Sequence, residues 1–255
     1  MASNGSLDRD APVLPIHAPV YGPPPYDMTQ ATLVFVNFTV DESVLRSVVP
    51  APLEAGAGDA TAIVGEMVQL PHCGWFYEGS IRVPVRFGDI ESQFTPHLWC
   101  SEDEPILVGR EVYGMPKILC DESHLDRSGN QVRGEVRRRG DLVMKVGMNV
   151  ERRADPTLFG RASSRLSVRS FLSPDPTRPH YREVLYVPLT DFQIEEAWEG
   201  RGFLEIHDTP YASPGILRPR TVGAGYYVRA SWSLGAAKSL WSNYEPADAS
   251  VRRTG

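Results

Sequence analysis

A chain of 255 residues with 42% hydrophobic and 23% charged content has the composition of a water-soluble folded protein, long enough to bury a core without disulfides or metal. Its net charge of −6 offers no basic stripe for a nucleic-acid backbone, and no apolar run approaches the roughly 18 residues that cross a bilayer. The three cysteines, Cys73, Cys100 and Cys120, are odd in number and form no CxxC pair, which argues against a disulfide framework or a zinc site and fits a reducing compartment.

The first ten residues are polar and lack the apolar stretch of a signal peptide, so the expected location is the cytoplasm. Residues 1–25 are expected to form an extended, proline-rich arm, because Pro23, Pro24 and Pro25 cannot lie inside a helix. The first ten residues are expected to be disordered, as are residues 246–255. Residues 26–245 are expected to make one domain.

Strand patterns dominate after the arm. Thr32 to Thr39 is rich in β-branched and aromatic residues. A short helix follows, with Asp41 as N-cap and Val44, Leu45, Val48 and Val49 on one face before Pro50. Thr61 to Leu70 reads as strand. In Ser80 to Phe87, Ile81, Val83, Val85 and Phe87 alternate with Arg82, Pro84 and Arg86, and Pro84 marks an edge or bulge. Gln131–Arg138 and Asp141–Val150 form a hairpin turning at Arg139-Gly140. Ser164–Leu172, Glu183–Glu195 and Phe203–His207 are further strands, and Ser231–Trp241 mixes strand and helix signals. The expected fold is α+β and β-rich, with curled antiparallel sheets forming a barrel-like body and few short helices.

Only three of the 26 basic residues are lysines: Lys117, Lys145 and Lys238. That matters because a lysine can lose its proton and attack a carbonyl, whereas an arginine stays protonated. Lys117 has unusual surroundings, Gly109-Arg110-Glu111-Val112-Tyr113-Gly114-Met115-Pro116-Lys117. Pro116 fixes the backbone before the lysine, and Gly114 permits close approach of a neighbour or ligand. Met115, Ile118 and Leu119 crowd the amine, and an apolar setting lowers its pKa. From these residues alone, a lysine in such a place is more often one that snorkels to the surface. Lys145 and Lys238 lack such framing and read as surface or packing residues.

Other polar residues divide between a site and the scaffold. Tyr113, four residues before Lys117, is either a proton donor or a packed core tyrosine. His72 and His97 are acid–base candidates or structural histidines. Tyr226 and Tyr227 are candidates for lining a pocket. Gly223-Ala224-Gly225 lacks the last glycine of a dinucleotide fingerprint and any βαβ context. No pair has metal-ligand spacing.

Four segments together resemble the acetoacetate decarboxylase family. They are Val48-Val49-Pro50-Ala51-Pro52-Leu53-Glu54; Gly74-Trp75-Phe76-Tyr77-Glu78 with Val83-Pro84-Val85; Gly109-Arg110-Glu111 through Pro116-Lys117; and Glu196-Ala197-Trp198-Glu199-Gly200. Their order and spacing hold from about Tyr26 to Leu234. The resemblance implies a catalytic lysine at Lys117 that attacks a ketone and forms a protonated imine, an electron sink for decarboxylation or an aldol step. It places the family's proton-handling or substrate-orienting glutamate at Glu78. Two positions depart from the pattern. The family's second lysine is replaced by Ile118, and its early arginine falls at Ala31. A substrate carboxylate then needs another cation, and Arg82, Arg86 and Arg110 are the candidates, although Arg110 beside Glu111 also fits a structural ion pair.

The expected function is a Schiff-base-forming lyase on a small keto acid: Lys117 as nucleophile, Glu78 as acid–base or orienting group, Tyr113 as support. Arg82, Arg110, His97, Met115 and Tyr226 are the expected substrate contacts. No cofactor or metal is expected, because the lysine supplies the electron sink. The resemblance also implies a homo-oligomer with no nucleic-acid or membrane partner. Aldol condensation with dehydration, or cyclisation of an α-keto acid, uses the same lysine. A non-catalytic small-molecule binder is the reading from another class.

Overall fold

Period-two alternation carries most of the chain into strands, and the computed structural model describes residues 13–71, 73–159 and 164–244. In chain order the strands are β1 (Tyr26–Thr39), β2 (Glu54–Ala55), β3 (Ala60–Leu70), β4 (Gly74–Phe87), β5 (Ile90–Cys100), β6 (Lys117–Leu119), β7 (Asp126–Ser128), β8 (Gln131–Arg138) and β9 (Asp141–Asn149). They continue as β10 (Arg152–Arg153), β11 (Ser164–Phe171), β12 (Tyr181–Ile206), β13 (Thr221–Leu234) and β14 (Lys238–Ser242). Helix α1 (Glu42–Val48) follows β1. Helix α2 (Asp103–Leu107) runs into one π-helical turn, Val108–Val112.

The main sheet runs β11-β5-β4-β3-β1-β13-β12, and β11 also pairs with β12, so these seven strands close on themselves. The expected curled, barrel-like, β-rich body is therefore the observed one. Its seam is narrow: β11 meets β5 through a single parallel pair, Arg165 with Gln93. Strand β12 can serve five partners, the short β10 and β14 among them, because it is 26 residues long. It pairs with β11, then β13, then β9, and bends at register shifts between Thr190 and Gln193 and between Ile194 and Glu196. The two separate strands expected at Glu183–Glu195 and Phe203–His207 are thus one. No proline interrupts them after Pro188, and Asp191 absorbs the first bend with a positive φ of 54°.

Several local expectations hold. The β8–β9 hairpin turns at Arg139-Gly140, where both residues have positive φ. Helix α1 buries Leu45. Asp41 stands at its N-cap position, but its carboxylate pairs with Arg220 instead of capping the helix. Pro84 lies beyond the last β3–β4 pair, Thr61 with Arg82, where β4 needs no β3 acceptor for a missing N–H. Outside the barrel, Ile81, Val83 and Val85 join Trp99, Val136, Met144 and Val146 in the largest core cluster. The alternate residues of β4, among them Phe76, Glu78 and Arg82, face a cavity inside it. The disorder expected for the first ten and last ten residues concerns segments outside the described residues, as does the His72 candidate. No helix among the described residues is long and apolar enough to cross a membrane.

Candidate active site

The cavity enclosed by the barrel measures about 340 Å³, and Lys117 opens into it. Strand β6 adds to β5 in parallel, with Lys117 opposite Leu98, while Glu78 on β4 lies opposite Cys100. The two side chains therefore start two strands apart, roughly 10 Å. They meet across β5: Lys117 Nζ is 2.8 Å from Glu78 Oε2. The lysine side chain is 6% exposed and the glutamate side chain 15%, so this pair is largely removed from water. The ring of Phe76 lies 5.1 Å from Nζ, a cation–π contact.

The expected depression of the lysine pKa is corrected here. Burial does act to lower it, but the Glu78 carboxylate, by charge and by hydrogen bond, acts in the opposite direction and raises it above the ordinary 10.5. At neutral pH the resting pair is thus an ammonium held by a carboxylate. A free amine arises by passing one proton across this 2.8 Å contact, from Nζ to Glu78.

The backbone that presents Lys117 is fixed at several points. The Met115 N–H donates to the Gly109 carbonyl and the Lys117 N–H to the Met115 carbonyl, both at 2.8 Å, which closes the loop around Pro116. Gly114 has φ of +65°, and a Cβ there would lie 2.6 Å from the Arg169 nitrogen. Only glycine meets both conditions. Arg110 points away from the cavity. Its Nη1 donates to the Lys117 carbonyl at 3.1 Å. Glu111 accepts from the Tyr21 hydroxyl, so the two neighbours serve different partners. Arg110 therefore positions the lysine backbone and does not line the cavity.

Tyr113 also lies outside the cavity. It is fully buried, meets Tyr26 edge-on at 5.9 Å, and its hydroxyl is 3.2 Å and 3.1 Å from the Leu234 and Gly235 carbonyls. Burial raises its pKa well above the usual phenol value. It ties the lysine loop to the end of β13, and its hydroxyl is turned to these carbonyls and not to the cavity. Tyr113→Phe should lower stability by about 1 kcal/mol, the usual worth of one hydrogen bond. Thermal unfolding checks that loss, and imine formation at Lys117 should change less than threefold.

Gly109 has a different role. A Cβ there would lie 2.6 Å from Lys117 Cδ and 2.8 Å from Cε. The lysine must then swing off Glu78. Gly109→Ala should reduce turnover about a hundredfold, as expected for a displacement near 1 Å, with little loss of melting temperature. Steady-state kinetics beside a thermal melt separates the two effects.

Of the other sequence candidates, Arg82, Met115 and Tyr226 line the cavity. His97 does not. It stacks on Trp99 with centroids 5.5 Å apart, on the outer face of β5, and burial lowers its pKa. Tyr227 faces outward beneath Arg127. Arg86 pairs with Glu54 on the surface. Lys145 pairs with Glu135 at 3.4 Å and Lys238 is exposed, so neither is placed for chemistry. Ala31 is buried in a core cluster.

Sequence reasoning missed Arg165. It enters the cavity from β11, near Arg82 and Glu78, and burial together with Arg82 pushes its pKa well below the ordinary guanidinium value. Burial also lowers Arg82, to about 10, against the pull of Glu78. Gln93, Thr95, Asn37 and Thr61 complete this polar end, where Thr61 Oγ1 donates to Asn37 Oδ1 at 3.0 Å. The charged groups lining the cavity are Lys117, Arg82, Arg165 and Glu78, so an anion is attracted. Among the described residues, no group of three or more His, Cys, Asp or Glu is arranged to hold a metal.

The family model for acetoacetate decarboxylase matches residues 13–244. A relative named acetoacetate decarboxylase 1 from Bradyrhizobium diazoefficiens is 24% identical over 233 residues, covering 89% of this chain and 91% of its own. The solved acetoacetate decarboxylase of Legionella pneumophila superposes with a TM-score of 0.82 at 19% identity, covering 89% of this chain and 91% of that one. The enduracididine biosynthesis enzyme MppR, solved with the condensation product of pyruvate and imidazole 4-carboxaldehyde, superposes with a TM-score of 0.80 at 23% identity and covers 91% and 97%.

Proposed function

The chain belongs to the acetoacetate decarboxylase family, and on that premise we propose that it is an imine-forming carbon–carbon lyase that decarboxylates a β-keto acid. The observation that carries this reading is the Lys117–Glu78 contact of 2.8 Å in a cavity that two arginines also line.

The steps follow from the pair. Arg82 and Arg165 draw the substrate carboxylate into the cavity. Glu78 takes the proton from Nζ, and the free amine adds to the ketone carbon. Glu78 returns the proton to the alkoxide oxygen, then carries a second proton from the added nitrogen to the carbinol hydroxyl, which leaves as water, and a protonated imine remains. The bond to the carboxylate then breaks, its electron pair enters the C=N⁺, and carbon dioxide departs from an enamine. A proton delivered to the enamine carbon, with Glu78 as carrier, gives the product imine. Water hydrolyses it and restores Lys117.

One observation favours a second reading. Guanidinium groups that hold a carboxylate stabilise it relative to neutral carbon dioxide, so an arginine pair opposes loss of the group it binds. Retention of that carboxylate suits an aldol step on an α-keto acid, and MppR was solved with a condensation product of pyruvate. Two measurements separate the readings: carbon dioxide release from acetoacetate, and deuterium uptake into the pyruvate methyl group. Decarboxylation predicts the first at a rate above that of solution. Methyl exchange without carbon dioxide release would establish the second reading in its place.

A further inference from the structure

The cavity is larger than the reacting groups need, and the surplus lies on one side. Lys117, Glu78, Arg82 and Arg165 occupy the wall made by β4, β6 and β11. Apart from Asn37, the wall made by β1, β12 and β13 is apolar and aromatic. Phe159, which follows Leu158 at the rim, lies 6.2 Å from Phe35 and 5.5 Å from Tyr226. Phe192 stacks on Trp232 at 5.8 Å. Behind these rings sit small buried residues, Ala154, Ala197, Val228 and Ala230, in one cluster with them. All five rings line the open cavity. A volume of 340 Å³ lies in the range of about 300–1,000 Å³ that encloses drug-sized ligands, whereas acetoacetate or pyruvate fills only a corner of it.

We propose, resting on the keto-acid reading above, that the substrate carries a single-ring aromatic arm on the side of its carbonyl away from the carboxylate, seated among Phe35, Phe159, Phe192, Tyr226 and Trp232. Two features select this arm. The five rings carry no charge and offer edges and faces suited to another ring. A cationic arm is opposed by the surplus of positive charge from Lys117, Arg82 and Arg165 over Glu78. The arm also sets the substrate's direction: the carboxylate lies at the arginines, the carbonyl at Lys117, and the ring opposite.

Phenylpyruvate and pyruvate make a matched pair that differs by one ring. Calorimetry should find phenylpyruvate bound at least tenfold more tightly, within the roughly ten- to hundredfold that burial of a phenyl group supplies. Trp232→Leu and Phe192→Leu, which keep the wall apolar and provide two independent variants, should each bring that ratio down toward one. Equal or weaker binding of phenylpyruvate by the wild-type protein, or a ratio that neither variant changes, overturns the proposal. Borohydride trapping with pyruvate or acetoacetate in the same samples tests Lys117 separately. An adduct without ring preference rejects the arm alone, and ring preference without an adduct rejects the imine reading alone.

Discussion

Lys117→Arg is expected to lower kcat/KM by at least about a thousandfold, about 4 kcal/mol of transition-state stabilisation, and to abolish borohydride trapping. The substitution retains a positive charge beside Glu78. The two carboxylate oxygens can still accept from a guanidinium, and the cavity has room for the larger head group. Purely electrostatic help to an anionic substrate would therefore survive. What disappears is the ability to lose a proton and form a C=N bond. If the arginine variant kept turnover within about tenfold of wild type, the lysine would be acting as a charge and the imine chemistry would be rejected. Thermal melts should show the variant folded, because the Arg110 and Tyr113 contacts that hold the loop do not depend on the lysine amine.

Glu78→Gln is expected to cost about 10²–10⁴ in kcat, the usual contribution of a positioned acid–base group. The same change reverses the balance that sets the state of Lys117. With the carboxylate gone, burial is the larger influence on the amine, and the pKa falls below 10.5 instead of lying above it. The sign of the stability effect follows. In the wild type the raised pKa means that the ion pair stabilises the fold fully below pH 10.5, and that this contribution fades as pH rises through the folded-state value. In the variant the lowered pKa makes the buried ammonium a liability at neutral pH, and the liability shrinks once the amine is neutral. The variant should be less stable than wild type by about 3 kcal/mol near pH 7, as for a broken buried pair. The gap in melting temperature should narrow toward alkaline pH. A gap that stays constant from neutral to alkaline pH would mean that Glu78 does not control the lysine.

Much of this was legible in the sequence, for identifiable reasons. The proline and glycine framing of Lys117 pointed to a fixed backbone, and the structure has that backbone pinned by Gly114, Arg110 and Tyr113. The alternation in Ser80 to Phe87 put Ile81, Val83 and Val85 on the core side and Arg82 on the other. What alternation cannot say is whether the polar side meets solvent or a cavity. Strand β5 was not anticipated, because Ser92, Gln93, Thr95 and His97 make it look like a loop, yet Gln93 and Thr95 line the inside of the barrel. Arg165 was missed for the same reason. On β11 it alternates with Leu166, and Ser167 shares its face, a pattern that normally marks a solvated surface. Closure of the barrel turns these polar faces inward.

The state of the lysine is a chemical expectation that reversed outright. Met115, Ile118 and Leu119 were visible as apolar neighbours, and burial does act in the expected direction. The partner at 2.8 Å comes from a strand 39 residues earlier, and pairing across β5 is not written in the local sequence. Similarly, Tyr113 was near Lys117 in number, but its hydroxyl reaches carbonyls at Leu234 and Gly235.

A mass spectrum of the protein after borohydride reduction in the presence of acetoacetate or pyruvate decides whether this amine reacts as described. The prediction is one reduced adduct per chain, on the peptide that contains residue 117. A modification on Lys145 or Lys238, or keto-acid turnover with unmodified protein after reduction, would contradict it.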